Sequence, residues 1–148
     1  MTYIYGRRSL EVQGTIHPHL IQIFDLVLEH MDHSLLWGFR GEEDQNRMVK
    51  EHKSYLSWPN SKHNTLPSLA VDAAPGKMVR THSDISPTWT INWQDHETFN
   101  QFGFFVLGVA AGLAIPIRWL GDGDQDYIPN NRDGKKNFYD AAHFELIL

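Results

Sequence analysis

Two short stretches concentrate residues suited to hydrolysis. In SKHNTLPSLAVDAAP, residues 61–75, Ser61 and His63 sit in a polar turn. Asp72 then closes the apolar run Leu69-Ala70-Val71. In DAAHFEL, residues 140–146, Asp140 stands three positions before His143. A half-buried carboxylate is costly unless paired, so Asp72 requires a partner. His63, Asp72 and His143 together offer two imidazoles and one carboxylate. That set suits a hydrolytic zinc ion, which takes three protein ligands and keeps one position for water. Such an ion lowers the pKa of its water to about 7, and a nearby base must then take and return a proton. Asp140 is placed to be that base without being a ligand. Other readings stay open on these residues alone. A lone histidine beside a strand is often a satisfied core or surface group, and Asp72 is able to cap a turn. Ser61, His63 and Asp72 also have the composition of a serine triad, but nothing around Ser61 resembles a nucleophile elbow.

The elements that must position these residues follow from periodicity. HPHLIQIFDLVLEHMDHS, residues 17–34, has Leu20, Phe24, Val27, Leu28 and Met31 at helical spacing and Pro18 in the first turn. LLWGFRG, residues 35–41, reads as a short strand ending in a turn. EEDQNRMVKEHK, residues 42–53, reads as a helix with acids in its first turn, where the dipole favours them. Residues 54–68 are loop and SLAVDA, residues 68–73, is a strand. Residues 75–93 are ambiguous. Asp95 caps a helix running to about Gly112. IPIRWL, residues 115–120, is a strand, residues 121–137 are a polar loop, and AHFELIL is a terminal strand. Alternation puts His143, Glu145 and Ile147 on one face of that strand, and Phe144, Leu146 and Leu148 on the other. The last two strands, joined by a long loop, are able to pair antiparallel. The fold class expected is α+β, with helices packed on a small, mostly antiparallel sheet.

Composition narrows the field. The chain has 148 residues, enough for one domain with a real core, so residues 1–148 are read as a single domain. A formal net charge of −5 argues against a broad nucleic-acid footprint. The absence of cysteine excludes disulfides, thiolate metal sites and a cysteine nucleophile, and leaves nine histidines as the soft ligands. FGFFVLGVAAGLAIPI, residues 102–117, is too short and too rich in glycine to span a membrane, so a buried helix followed by a strand is expected. No signal peptide is read at the N-terminus.

The motifs carry a resemblance. SKHNTLPSLAVDAAP resembles the Ser-x-His…Ala-x-Asp signature of the zinc D-Ala-D-Ala carboxypeptidase and L-alanyl-D-glutamate peptidase family, which includes phage endolysins. DAAHFEL resembles that family's Asp/Glu-x-x-His-x-Glu ending. LLWGFRGEEDQ is similar to its Gly-x-Arg segment with a following Gln, and IHPHL and IPIRWLGD have counterparts in the same order. The resemblance implies a Hedgehog/D,D-peptidase-like fold and zinc on His63, Asp72 and His143. It implies Asp140 as acid/base, and Arg40 as a substrate-holding or oxyanion-stabilising arginine. It makes Ser61 and Gln45 substrate-binding. It implies a peptidoglycan hydrolase cutting stem peptides at the L-Ala–D-Glu bond. The alternatives are a D,D-carboxypeptidase with the same machinery and a non-catalytic wall-binding or virion module. It implies a monomer with no nucleic-acid or membrane partner. Such an enzyme is made in the host cytoplasm without a signal peptide, and acts on the wall from the periplasm after release. The sequence departs from the pattern in three places: eight residues separate His63 from Asp72 with no glycine among them, WLGDGD replaces a Gly-Gly-Asp segment, and Ala142 precedes His143 where proline is usual.

One further expectation concerns GDGDQDYIPNNRDG, residues 121–134. Asp122, Asp124, Asp126 and Asp133 occupy positions 1, 3, 5 and 12 of a calcium-loop pattern, although Tyr127 stands where such loops need glycine. The plainer reading is a solvated acidic loop linking two strands; the alternative is weak calcium binding that raises activity.

Overall fold

The structure, a computed structural model, describes residues 3–76, 91–134 and 138–147. Four helices and four strands follow one another as α1 (Arg7–Gln13), α2 (Pro18–Leu28), β1 (His33–Trp37), α3 (Glu42–Lys50), β2 (Ala70–Pro75), α4 (His96–Gly112), β3 (Ile117–Trp119) and β4 (His143–Leu146). Short 3-10 turns cover Lys62–Asn64 and Leu120–Asp122. The strands form one antiparallel sheet in the order β1-β2-β4-β3. This is the α+β arrangement expected.

The sheet separates core from site. Val71 pairs with Phe144, and Asp72 with His143, so alternate residues of β2 and β4 point to opposite faces. Val71, Phe144 and Leu146 meet α2 and α4 on the core face, through Leu20, Phe24, Phe102 and Val106. Asp72, His143 and Glu145 are left on the other face. Asp95 caps α4 by accepting from the Thr98 amide at 3.2 Å, and the helix stops at Gly112, short of β3. No helix among the described residues is long and apolar enough to cross a membrane.

Two expectations change. The helix read over 17–34 ends at Leu28, because His33 and Ser34 pair with Pro75 and Ala74. His33 is a core residue, packed against Tyr5, Phe24 and Phe102 at ring distances of 5.2–5.6 Å. Its polarity hid a strand position inside a helical pattern. Helix α1 has no counterpart in the sequence reading. It buries only Ser9 and Val12, too few for a stripe, and Ser9 accepts from the Leu35 amide at 3.0 Å. Most of the ambiguous stretch 75–93, the end of the polar loop (135–137) and Leu148 lie outside the described residues.

Candidate metal centre

Local folding first fixes His63. Ser61 caps the 3-10 turn by accepting from the His63 amide at 3.2 Å, and Asn64 returns a bond to the Ser61 amide at 3.0 Å. The turn buries the His63 ring and sets its Nδ1 2.8 Å from the Gly38 carbonyl. A carbonyl only accepts, so Nδ1 carries the proton and Nε2 presents a lone pair. On β4, His143 Nε2 lies 3.0 Å from Glu145 Oε1, which commits that nitrogen's proton and leaves Nδ1 with its lone pair. The two free nitrogens are 3.3 Å apart. Asp72 Oδ1 is 3.5 Å from His63 Nε2 and 3.3 Å from His143 Nδ1.

Three lone-pair donors from three separate elements thus converge on one point. Asp72 Oδ1 is buried without a hydrogen-bond partner. The imidazole nitrogens beside it are close enough for an ion pair, yet each ring's proton is engaged on its far side. An orphaned carboxylate oxygen facing two basic nitrogens fits a divalent cation. The outer bonds to Gly38 and Glu145 orient the ligands as second partners of metal-bound histidines do. Protons compete for the same point. Burial works against charge on His143, but Asp72 and Glu145 on its two nitrogens push its pKa up to about 9. Burial likewise opposes charge on Asp72, yet His63 and His143 hold its carboxyl well below the usual carboxylate range.

The cluster forms part of the floor of a cleft of about 1010 Å³ whose walls include Trp37, Tyr55, Leu56, Trp93 and Phe138. Asp140 also faces this cleft. Its amide donates to the Leu120 carbonyl at 3.1 Å, and its carbonyl accepts from the His143 amide at 3.3 Å. Its carboxyl is raised above the usual range, first by burial and then by the charge of Asp72. A carboxyl perturbed in that way, in a cleft beside three converging ligand atoms, is suited to carry protons. Glu145 is held low instead: burial opposes its charge, but His143 and Lys62, with Nζ 3.0 Å from Oε2, favour it.

Arg40 lines the cleft, and Gln45 lies buried behind it. Arg40 Nη2 lies 3.4 Å from Asp72 Oδ2 and Nη1 donates to Gln45 Oε1 at 3.1 Å, with the guanidinium 5.2 Å over the Trp37 ring. Arg40 thus braces the carboxylate. Gln45 does not reach the cleft. It is fully buried, and its amide serves Arg40, Asn64, Ser54 and the Leu56 carbonyl. What the structure shows for Gln45 is a bond that positions Arg40. Ser61 does line the cleft. Glu145 was legible from the alternation of HFEL, whereas nothing local in sequence pointed to the Gly38 carbonyl.

The acidic loop brings carboxylate oxygens of Asp122, Asp124 and Asp126 within 4.8 Å of one another, and Asp133 does not join them. The two oxygens of buried Asp122 accept from the Asp126 and Tyr127 amides at 3.2 and 3.0 Å. That bonding accounts for Asp122 as a turn former, and the calcium expectation gains no support.

Comparison with known proteins places these observations. The family described as phage L-alanyl-D-glutamate peptidase matches residues 1–147. Among solved structures, the Serratia marcescens L-Ala D-Glu endopeptidase ChiX aligns at 24% identity with a TM-score of 0.67, over 97% of this chain and 89% of that one. At that identity the likeness establishes the fold. The vancomycin-resistance D,D-dipeptidase VanXYg aligns at 20% identity and a TM-score of 0.40, over 86% of this chain and 47% of that one. No curated protein matches. The chain belongs to the phage L-alanyl-D-glutamate peptidase family.

Proposed function

We propose that this member of the phage L-alanyl-D-glutamate peptidase family is a zinc enzyme that hydrolyses the L-Ala–D-Glu amide of peptidoglycan stem peptides. The observation that carries the reading is the convergence of His63 Nε2, Asp72 Oδ1 and His143 Nδ1 in a cleft that Asp140 also lines. Zinc on these three ligands supplies Lewis acidity and a water acidic enough to ionise near neutral pH. Asp140 takes the proton of the attacking water and passes it to the departing glutamate nitrogen. Its raised pKa suits both halves of that cycle. Glu145 and the Gly38 carbonyl hold the two imidazoles in the tautomers that leave a lone pair inward. Arg40 fixes Asp72 and carries the oxyanion role, for which its forked donors are suited. The site of action is the cell wall, reached after release from the cell that makes the protein.

Digestion of purified peptidoglycan, with mass spectrometry of the fragments, tests the reading. New L-Ala carboxyl ends and D-Glu amino ends are expected. Released D-Ala would identify a carboxypeptidase instead, and intact peptidoglycan with zinc present would leave a binding module.

A further inference from the structure

Among the described residues, six lysine and arginine side chains line the cleft: Arg8, Arg40, Arg47, Lys53, Lys62 and Arg118. Five have carboxylates beside them. Arg40 meets Asp72 and Lys62 meets Glu145; Arg8, Arg47 and Lys53 meet Glu11, Asp44 and Glu51. Arg118 has no acidic partner among the described residues, in a chain whose net charge is −5.

Its placement follows from the sheet. Ile117 and Trp119 point into the core, so alternation turns Arg118, the middle residue of edge strand β3, to the cleft face. It pairs with Glu145. Glu145 does not neutralise it, because Oε1 is engaged by His143 and Oε2 by Lys62. His143 is the diagonal cross-strand neighbour, and such neighbours stand roughly 7–8 Å apart. Arg118 therefore lines the same cleft as the cluster, one diagonal step across the sheet from His143.

The proposed substrate supplies a matching charge. Cleavage of L-Ala–D-Glu releases the glutamate nitrogen, and that glutamate has two carboxyl groups. The peptide continues through one, and the other is a carboxylate a few bonds from the scissile nitrogen. Building on the function proposed above, we infer that Arg118 receives this free carboxylate and makes the cleft selective for the acid over its amide. A guanidinium binds a carboxylate through a charge-assisted fork that a primary amide does not match. A charge on an edge strand also discourages strand pairing between molecules, but that role is indifferent to the substrate.

The test uses two synthetic stem peptides that differ only at this group, a carboxylic acid in one and a primary amide in the other. Values of kcat/KM are measured for the zinc-loaded wild type, Arg118→Gln and Arg118→Lys, with unfolding midpoints as a check on the fold. The wild type should favour the acid by about tenfold, the scale of one hydrogen bond to a charged group. Arg118→Gln should lose that preference through a slower reaction of the acid peptide alone, and Arg118→Lys should keep part of it. Equal rates in the wild type, or a preference that survives Arg118→Gln, would overturn the inference and leave the peptidase reading standing. Failure of the wild type to cut either peptide would overturn the reading beneath it, and the inference with it.

Discussion

Asp140 and Glu145 are two carboxylates five positions apart, and their surroundings give them opposite tasks. Burial and the charge of Asp72 raise Asp140 toward the range of a working acid/base. His143 and Lys62 overcome the burial of Glu145 and keep it ionised as a brace for the imidazole. Environments that push two titratable groups apart mark which one moves the proton. Asp140→Asn should therefore lose ~10²–10⁴ in kcat while keeping its metal, the span usual for general acid–base catalysis. Turnover and metal content measured on the same samples check this, and near-normal turnover would place the base elsewhere. Glu145→Ala should do the reverse. Removing a partner of a ligating histidine costs about 10–100-fold in metal affinity, which competition against a chelator reads directly. With zinc in excess its kcat should stay close to that of the wild type. Equal zinc affinity in the two proteins would deny Glu145 its bracing role.

At the scale of elements, α4 and β3 meet through a contact that fixes the loop carrying Asp140. Trp119 is fully buried, and its Nε1 donates to the Ala141 carbonyl at 2.8 Å, next to Asp140. The ring lies against Gly103, where a Cβ would come within 2.2 Å of it. Alanine in a helix is ordinarily worth about 1 kcal/mol over glycine, while forcing a methyl into a packed core costs about 1–3 kcal/mol. Trp119 is held on both sides, so Gly103→Ala should be net destabilising. Gly108 lies on the same helix with nothing within 4 Å of its would-be Cβ, and Gly108→Ala should be neutral or stabilising. Urea unfolding of the two variants compares them, and equal midpoints would remove Trp119 as the constraint. Elements of this kind were legible where the apolar stripe was long, as in α2, or where a cap was explicit, as at Asp95. α1 was not legible, because two buried residues make no periodicity. The end of α2 was misjudged because His33 satisfies itself through Tyr5, 2.6 Å from its Nε2, and so behaves as an apolar strand residue.

Over the whole molecule, that same histidine ties stability to pH. Burial lowers the pKa of His33 from 6.5 to about 4. The unfolded chain therefore takes up this proton first as pH falls. The contribution is complete above pH 6.5 and is lost progressively toward pH 4, about 3 kcal/mol over the window. His33→Phe should flatten that part of the pH dependence, measured by denaturant unfolding of both proteins at pH 7 and pH 5; parallel profiles would refute the assignment. The candidate site was more legible than the architecture, since His63, Asp72 and His143, which the fold brings together, stood out by type and motif before any element was known. Their outer contacts were not legible, because the Gly38 carbonyl and the Arg40–Gln45 bond join residues through tertiary folding. What the fold achieves with these parts is one point where His63 Nε2, Asp72 Oδ1 and His143 Nδ1 meet. A crystal of the zinc-loaded protein, with the ion located by its anomalous scattering, tests that directly. One ion is expected, held by those three atoms, with Asp140 and Glu145 outside its ligands. An ion elsewhere, or Asp72 turned away from it, would show that these three atoms do not form the metal site.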